Sequence, residues 1–523
     1  MKVFSLLLLG LLATPIHSSY CPTSFHSING VYDPSGPILI DDTWHVFPDT
    51  FENHWAHFTS KDLLHWEKQT EIPDPLLANG DTGSISVTPG GLFAHYPNLQ
   101  APFGINLQTP TDTTPTDLNN WSNSTSTFAD PKSIGLGIGF RDPHRAIKLP
   151  DDNWYMGVGT GYGGANPETQ LPTSGTGCLA WMRATDESLS ELTFQGCLLE
   201  NNVTSGHINP GTLEYVEESE DVAFFECPDV FPLGDDKSFV AVASFYNWDS
   251  AKSLNEYFVG SFVTGADNQY KFEANYRAPL DYGQYYAART GSNANIALGG
   301  IQKFDDRRVL FSATGWHNPP GFDVSCNGGS QIHLIPRDID VDRVTGGLTF
   351  DPVFEIESIR VGGKSTFGST TSGDKVIATG SSLQLKLTCD LSSTSSLPTT
   401  GVAGFRVLGS VSDASEYTYT SVGYDFSTKK MFVDHTKTSK TTPSTIVQLS
   451  KAGTTIVEGV DEKLTIHVLV DSALIELFGN SRTAISSFAS ELMGEDDDPA
   501  DRVNLVVAPE GLECEFETHV LAL

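Results

Sequence analysis

A chain of 523 residues with 65 acidic against 31 basic side chains carries a formal net charge of −34, a balance that argues against nucleic acid or an anionic membrane surface as partner. Its length is enough for two large cores, and no apolar run beyond the first segment could cross a bilayer. A neutral or cationic ligand suits such a surface better.

The chain opens with Lys2, an apolar run from Leu6 to Leu12 and the small residues Ser18 and Ser19, the pattern of a secretory signal peptide over residues 1–19. It implies a secreted protein or one routed to a vacuole-like compartment. Five strand, turn, strand units follow. Pro37–Ile40 turns at Asp41-Asp42 into Trp44–Phe47, and Ile85–Val87 turns at Gly90-Gly91 into Leu92–Tyr96. Ala146–Leu149 turns at Asp151-Asp152 into Trp154–Val158, and Val230–Leu233 turns at Asp235-Asp236 into Phe239–Phe245. In the fifth, Ile301–Phe304 turns at Asp305-Asp306 into Val309–Ala313. Hairpins repeated in this way, with Gly-rich and Pro-rich connections and little helical periodicity, predict small antiparallel sheets set radially, a five-bladed β-propeller over residues 20–340, with a long β-sandwich of irregular spacing as the competing reading that periodicity alone does not exclude. The run Gly157, Gly159, Gly161, Gly163 lacks the Lys-Ser/Thr ending of a phosphate loop and is expected in a flexible connection between blades. After a linker over 341–362, clean alternation at Leu383, Leu385 and Leu387, and again at Leu464, Ile466, Val468 and Val470, predicts a β-sandwich over 363–523. The fold class is all-β.

Acidic residues stand just upstream of three of the turns. Asp33 precedes Asp41 by eight positions, Asp142 precedes Asp151 by nine and Glu226 precedes Asp235 by nine. The first strand of each propeller blade lines the central channel, so equivalent positions converge. Three carboxyl groups then meet at one mouth, with Asp81 close by. Taken singly each is weak, because Asp-Pro commonly opens a turn. Together they suit glycosidic bond cleavage, in which one carboxylate attacks and another carboxylic acid protonates the leaving oxygen.

At these residues the sequence resembles glycoside hydrolase family 32, the family of invertases, inulinases, levanases and fructosyltransferases. Tyr32-Asp33-Pro34-Ser35-Gly36 resembles the family's nucleophile block, Phe140-Arg141-Asp142-Pro143 its Arg-Asp-Pro block, and Glu226-Cys227-Pro228-Asp229 its Glu-Cys block. His54-Trp55-Ala56-His57, Asp81-Thr82-Gly83-Ser84, Asp281-Tyr282-Gly283 with Tyr286-Ala287, and Ile475-Glu476-Leu477-Phe478 are similar to lesser family blocks. The resemblance implies a β-fructofuranosidase acting on terminal β-D-fructofuranosides, most of all sucrose, with no cofactor or metal. Asp33 is then the nucleophile, Glu226 the acid/base, and Asp142 the stabiliser of the transition state, kept ionised by Arg141. Tyr32, Trp55, Asp81, Ser84, Arg141 and Cys227 are the expected substrate contacts, Trp55 at the pocket rim. Departures from the family pattern fall at Gly30, Tyr32 and Ser35, where the rim meets the non-fructose part of the substrate. Fructosyl transfer and exo-cleavage of fructans are the alternatives within this chemistry, and a non-catalytic carbohydrate-binding propeller is the alternative outside it.

Seven cysteines in an exported chain predict disulfides with one thiol left over. Cys227 is expected free, with Cys21–Cys326 closing the ring and Cys178–Cys197 and Cys389–Cys514 as local pairs. Asn120, Asn123 and Asn202 open glycosylation sequons. His54, His57 and His65 are expected in aromatic-lined hydrogen bonds rather than as a metal cluster.

Overall fold

Asp41 and Asp42 take φ angles of 43° and 64°, which suits a tight hairpin turn because aspartate tolerates the left-handed region. This turn joins Ile38–Ile40 to Thr43–Val46 in the first of a series of antiparallel sheets. The computed structural model describes residues 25–26, 28–50, 55–69, 81–98, 103–111, 117–136, 138–165, 172–200, 206–208, 215–217, 225–233, 235–247, 252–265, 269–293, 307–314, 331–370, 373–392, 396–409, 418–438, 449–488, 502–507 and 511–522. The expected signal segment, Cys21, His54, Asn202, the fifth turn at Asp305-Asp306 and Cys326 lie outside the described residues.

The first sheet continues through Phe58–Ser60 and Glu67–Lys68. The second runs over Ser84–Thr88, Gly91–Asn98, Gly104–Gln108 and Thr125–Ala129. The third comprises Ile138–Arg141, Trp154–Ala165, Pro172–Ala184 and Thr193–Glu200, with the short Ile147–Lys148 on its second strand. Phe225–Leu233, Asp235–Asn247, Lys252–Thr264 and Tyr270–Pro279 form the fourth, and Tyr286–Gly291, Arg308–Ala313, Arg337–Val341 and Leu348–Pro352 the fifth. The series closes on itself. Leu39 of the first sheet bridges Asn293 just beyond the first strand of the fifth, and Arg145 donates to Pro37 O at 2.6 Å, Thr290 O at 3.2 Å and Ser292 Oγ at 3.1 Å. This is the propeller.

Two expectations change here. The glycine run lies within the strand Trp154–Ala165, not in a connection. A Cβ on Gly157 would stand 2.7 Å from the His144 ring, and one on Gly159 would stand 2.3 Å from Phe225 O. These glycines let neighbouring backbone and rings approach the strand. The stretch 341–362, expected as a linker, contains the last propeller strand Leu348–Pro352, a short 3-10 helix Phe354–Ile359 and the start of a sandwich strand. Its polar Asp-Arg-Val-Thr-Gly-Gly segment is a hairpin loop, in which Asp342 accepts from Val344 N at 3.0 Å and Thr345 Oγ1 at 2.6 Å.

The sandwich packs two six-stranded sheets. Leu383, Leu385, Leu387, Leu464, Ile466 and Val468 share its core with Phe405, Val407, Val422 and Val433. The strands Leu474–Gly479 and Thr483–Phe488 do not alternate, because both of their faces are buried. Leu469, Phe478 and Ala484 face the propeller and pack with Trp44, Leu63, Val309, Phe311 and Ile335. The outermost strand, Thr483–Phe488, is paired along its free side by the chain entering the fifth propeller sheet: Tyr282 N donates to Ala484 O at 2.9 Å and Gln284 N to Ser486 O at 2.7 Å. Disulfides join Cys178 to Cys197 and Cys389 to Cys514, and Cys227 is a buried free thiol.

Candidate active site

Three consecutive propeller sheets carry the same irregularity in their first strands. Between Arg141 and His144, between Glu226 and Asp229, and between Tyr286 and Arg289, three steps on the first strand meet two on its partner. The residue inside each bulge has positive φ: 58° at Asp142, 43° at Cys227 and 53° at Ala287. A bulge of this kind re-aims side chains at the end of a strand. Arg141, Glu226 and Tyr286 therefore occupy one equivalent position, and they touch. Arg141 Nη2 donates to Glu226 Oε1 and the Tyr286 hydroxyl to Glu226 Oε2. Asp142 and Cys227 occupy the next position, where Cys227 N donates to Asp142 Oδ2 at 2.9 Å.

Asp142 and Glu226 therefore differ by one position along their strands and are not equivalent. Both stand nine residues before a turn, but the fourth sheet has an additional register shift beside its turn, where Pro232 pairs with Phe239 and Leu233 with Asp235. The acids nonetheless converge. The Cys227 thiol lies 3.5 Å from Asp33 Oδ2 and 3.7 Å from Asp142 Oδ2, linking the segment before the first sheet to the third and fourth. Asp81 stands 3.4 Å from Arg141 Nη1.

Electrostatics divide these groups. Burial pushes the Asp142 carboxyl up to about 8; the charges of Asp81 and Glu226 add to this and Arg141 opposes it. Arg141 favours the ionised form of Asp142, and its donors also reach Glu226 and Asp81. Burial, reinforced by the charges of Asp142 and Asp33, also raises the Cys227 thiol well above its ordinary value. Arg289 braces the bulges from beneath, donating to Pro228 O and to Asp142 O at 3.1 Å.

Two expected substrate contacts are buried instead of standing on the rim. Trp55 is 1% exposed and packs with Phe47, Ile85 and Tyr96. Tyr32 is 4% exposed, its backbone N donating to Asp49 O at 2.8 Å and its carbonyl accepting from His333 Nε2 at 2.6 Å. Apolar rings flanking a site serve as its floor as readily as its wall. Ser84 is buried at the start of the second sheet. His57 sits between His45 Nδ1 and Asn119 Oδ1, each at 2.9 Å, and stacks on Phe47. Asn120 and Asn123 are exposed.

Sequence reasoning missed Asp49. It is buried, Thr82 Oγ1 lies 2.8 Å from its Oδ2, and Ser35 Oγ lies 3.4 Å from its Oδ1. Its one signal is a carboxylate directly after the apolar run Trp44–Pro48.

The N-terminal domain model of glycosyl hydrolases family 32 matches residues 27–196 and 207–352, and the family's C-terminal model matches residues 355–490. The chain belongs to glycosyl hydrolase family 32. It is therefore a glycoside hydrolase, and these models meet where the propeller meets the sandwich. A vacuolar acid β-fructofuranosidase of Arabidopsis thaliana is 25% identical over 90% of this chain and 74% of its own length. A levanase of a Bacillus species is 24% identical over 87% of this chain and 47% of its own. Among solved structures, an Aspergillus kawachii β-fructofuranosidase superposes with a TM-score of 0.72 at 15% identity, covering 97% of this chain and 94% of that one. The likeness to this family-32 fold extends across both lobes.

Proposed function

We propose that this family-32 enzyme hydrolyses terminal β-D-fructofuranosides with retention, sucrose being the preferred small substrate. Asp33 attacks the anomeric carbon of fructose, Glu226 protonates the leaving oxygen, and Asp142 holds fructose hydroxyls as positive charge develops on the ring. The observation that carries the reading is the meeting of Asp33, Asp142 and Glu226 about Cys227 from three separate parts of the propeller. Glu226 accepts at both oxygens, from Arg141 and Tyr286. To act as the acid, Glu226 must first take up a proton from solvent, and the leaving oxygen that receives it replaces one of these two donors. Route through the secretory pathway to an extracellular or vacuolar compartment fits the N-terminal sequence and the vacuolar relative.

Transfer of fructose to a second sugar, or exo-cleavage of a fructan, uses the same covalent intermediate and differs in what resolves it or precedes it. Incubation with sucrose, with glucose and fructose measured separately, distinguishes them. Equal amounts mean hydrolysis, excess glucose means transfer, and neither product removes sucrose as substrate. Glu226→Gln is expected to slow sucrose cleavage by roughly two to four orders of magnitude, the usual worth of general acid catalysis. Near-normal activity in that variant would reassign the acid to another carboxyl.

A further inference from the structure

Beside the nucleophile lies a chain of polar groups that the mechanism has not used. Gly83 N donates to Ser35 Oγ at 3.1 Å, and Ser35 Oγ lies 3.4 Å from Asp49 Oδ1. At the other carboxyl oxygen, Thr82 Oγ1 is 2.8 Å from Asp49 Oδ2 and 3.2 Å from Asp33 Oδ2. A threonine hydroxyl has one proton and an ionised carboxylate has none. With both acids ionised, one of these contacts would set lone pair against lone pair in a buried space, an arrangement that polar groups out of water avoid. One proton on a carboxyl resolves it. Asp33 is partly exposed and Asp49 is buried, so the proton belongs on Asp49. Every donor in the chain then has one acceptor.

We propose that Asp49 is a positioning residue for the nucleophile: as a neutral carboxylic acid it donates to Thr82 Oγ1 and thereby turns the Thr82 proton onto Asp33 Oδ2. The proposal rests on Asp33 being the nucleophile. Its geometry extends to the backbone, since Asp49 N donates to Asp33 O at 3.2 Å and Asp49 O accepts from Tyr32 N. Thus one residue holds both the main chain and, through Thr82, the carboxylate of the attacking group. The charged groups facing Asp49 are Asp81 and Asp33, with Asp142 beyond, and burial together with these negative neighbours pushes its carboxyl well above the ordinary range. Asp33 in turn faces the Cys227 thiol and the Tyr286 phenol. A neutral donor relayed to Asp33 favours its ionised, nucleophilic form without adding another negative charge to the site.

The test reads the acid limb of kcat/KM against pH on sucrose, which reports loss of the ionised nucleophile. Thr82→Val removes the relay, so the limb moves to higher pH by about one unit. Asp49→Asn keeps a donor toward Thr82 and an acceptor toward Ser35, so its limb stays in place. If Asp49 were ionised, the neutral amide would relieve Asp33 of a negative neighbour and the limb would move to lower pH. That result, or an unmoved limb in Thr82→Val, overturns the proposal. Infrared difference spectra of native enzyme against Asp49→Asn give a second reading, with loss of a protonated-carboxyl band expected and its persistence decisive against. Asp33→Ala separates the two levels. Activity retained there would remove the nucleophile assignment itself, whereas an inactive Asp33→Ala with both limbs unmoved would remove only the role of Asp49.

Discussion

The molecule buries carboxylates in two places and treats them in opposite ways. Between propeller and sandwich, Asp281, Glu476 and Asp471 meet Arg337 and His26. Arg337 Nη2 reaches Asp281 at 2.8 Å and Glu476 at 3.1 Å, while its guanidinium lies over the rings of Tyr285 and Phe478. Backbone N–H groups complete the shell, from Ser486 and Gly283 to Asp281, from Ile335 to Glu476, and from Phe25 and His26 to Asp471. Burial opposes ionisation of Glu476, yet His26 and Arg337 outweigh it and hold its carboxyl below the ordinary value. At the candidate site, Asp81 and Glu226 stand against Arg141, Asp33 and Asp49 share Thr82, Asp142 lies beside Cys227, and Asp49 and Asp142 are pushed up. Carboxylates answered by two buried cations and by backbone donors make a clasp. Unmatched charge leaves protons to be traded, which is what catalysis by paired acids requires.

The largest break in the comparison is expected from Arg337→Met, which leaves Asp281 buried without its cation and Glu476 with His26 alone, and should lower stability by about 3–5 kcal/mol. Equilibrium unfolding in denaturant measures it, and an unchanged midpoint would mean the clasp contributes no net stability. Next comes Asp142→Asn. Burial raises the Asp142 carboxyl to about 8, so the folded state must keep a proton that the unfolded chain releases, and the neutral amide should raise Tm at neutral pH, while activity on sucrose falls by roughly 10²–10³; a fall in both would mean that Asp142 is structural.

A smaller effect sharpens the contrast through pH. Burial lowers the His26 ring's affinity for a proton, but Asp471 and Glu476 overcome this and raise its pKa from 6.5 to about 9. A raised folded-state value means its stabilisation is complete below pH 6.5 and is lost as pH rises through about 9. The Tm of the native protein should fall across that window, and His26→Gln should flatten the fall; parallel curves for the two proteins would count against the clasp. The smallest change is Tyr286→Phe, which takes one donor from Glu226 and should alter kcat/KM by about tenfold, read most directly as a displaced alkaline limb.

Hairpins were legible in the sequence because their turns demand particular backbone conformations. Paired aspartates or glycines at Asp41-Asp42, Gly90-Gly91 and Asp151-Asp152 mark chain reversals whatever the surrounding fold. Bulges leave a weaker trace. Asp142 tolerates positive φ, but Cys227 and Ala287 do not advertise it, so spacing alone could not show that Glu226 shares its position with Arg141 and Tyr286. The sandwich was visible where one face is wet and obscure at Leu474–Phe488, where the propeller covers the second face and alternation disappears. Trp55 and Tyr32 were read as rim residues since sequence reports ring chemistry and not depth. Asp49 was missed because an isolated acid after a strand is ordinarily a surface residue.

The backbone bonds from Tyr282 and Gln284 to the strand Thr483–Phe488 have a consequence for how the protein can be handled. That strand ends a six-stranded sheet, and a bare sheet edge recruits other chains. The propeller segment acts as a built-in stopper, and Gly283 permits it to fit: a Cβ there would sit 1.9 Å from Ser486 O. Cutting the chain after Pro352 would uncork the sandwich and expose the propeller's apolar underside at once, turning one enzyme into two sticky halves.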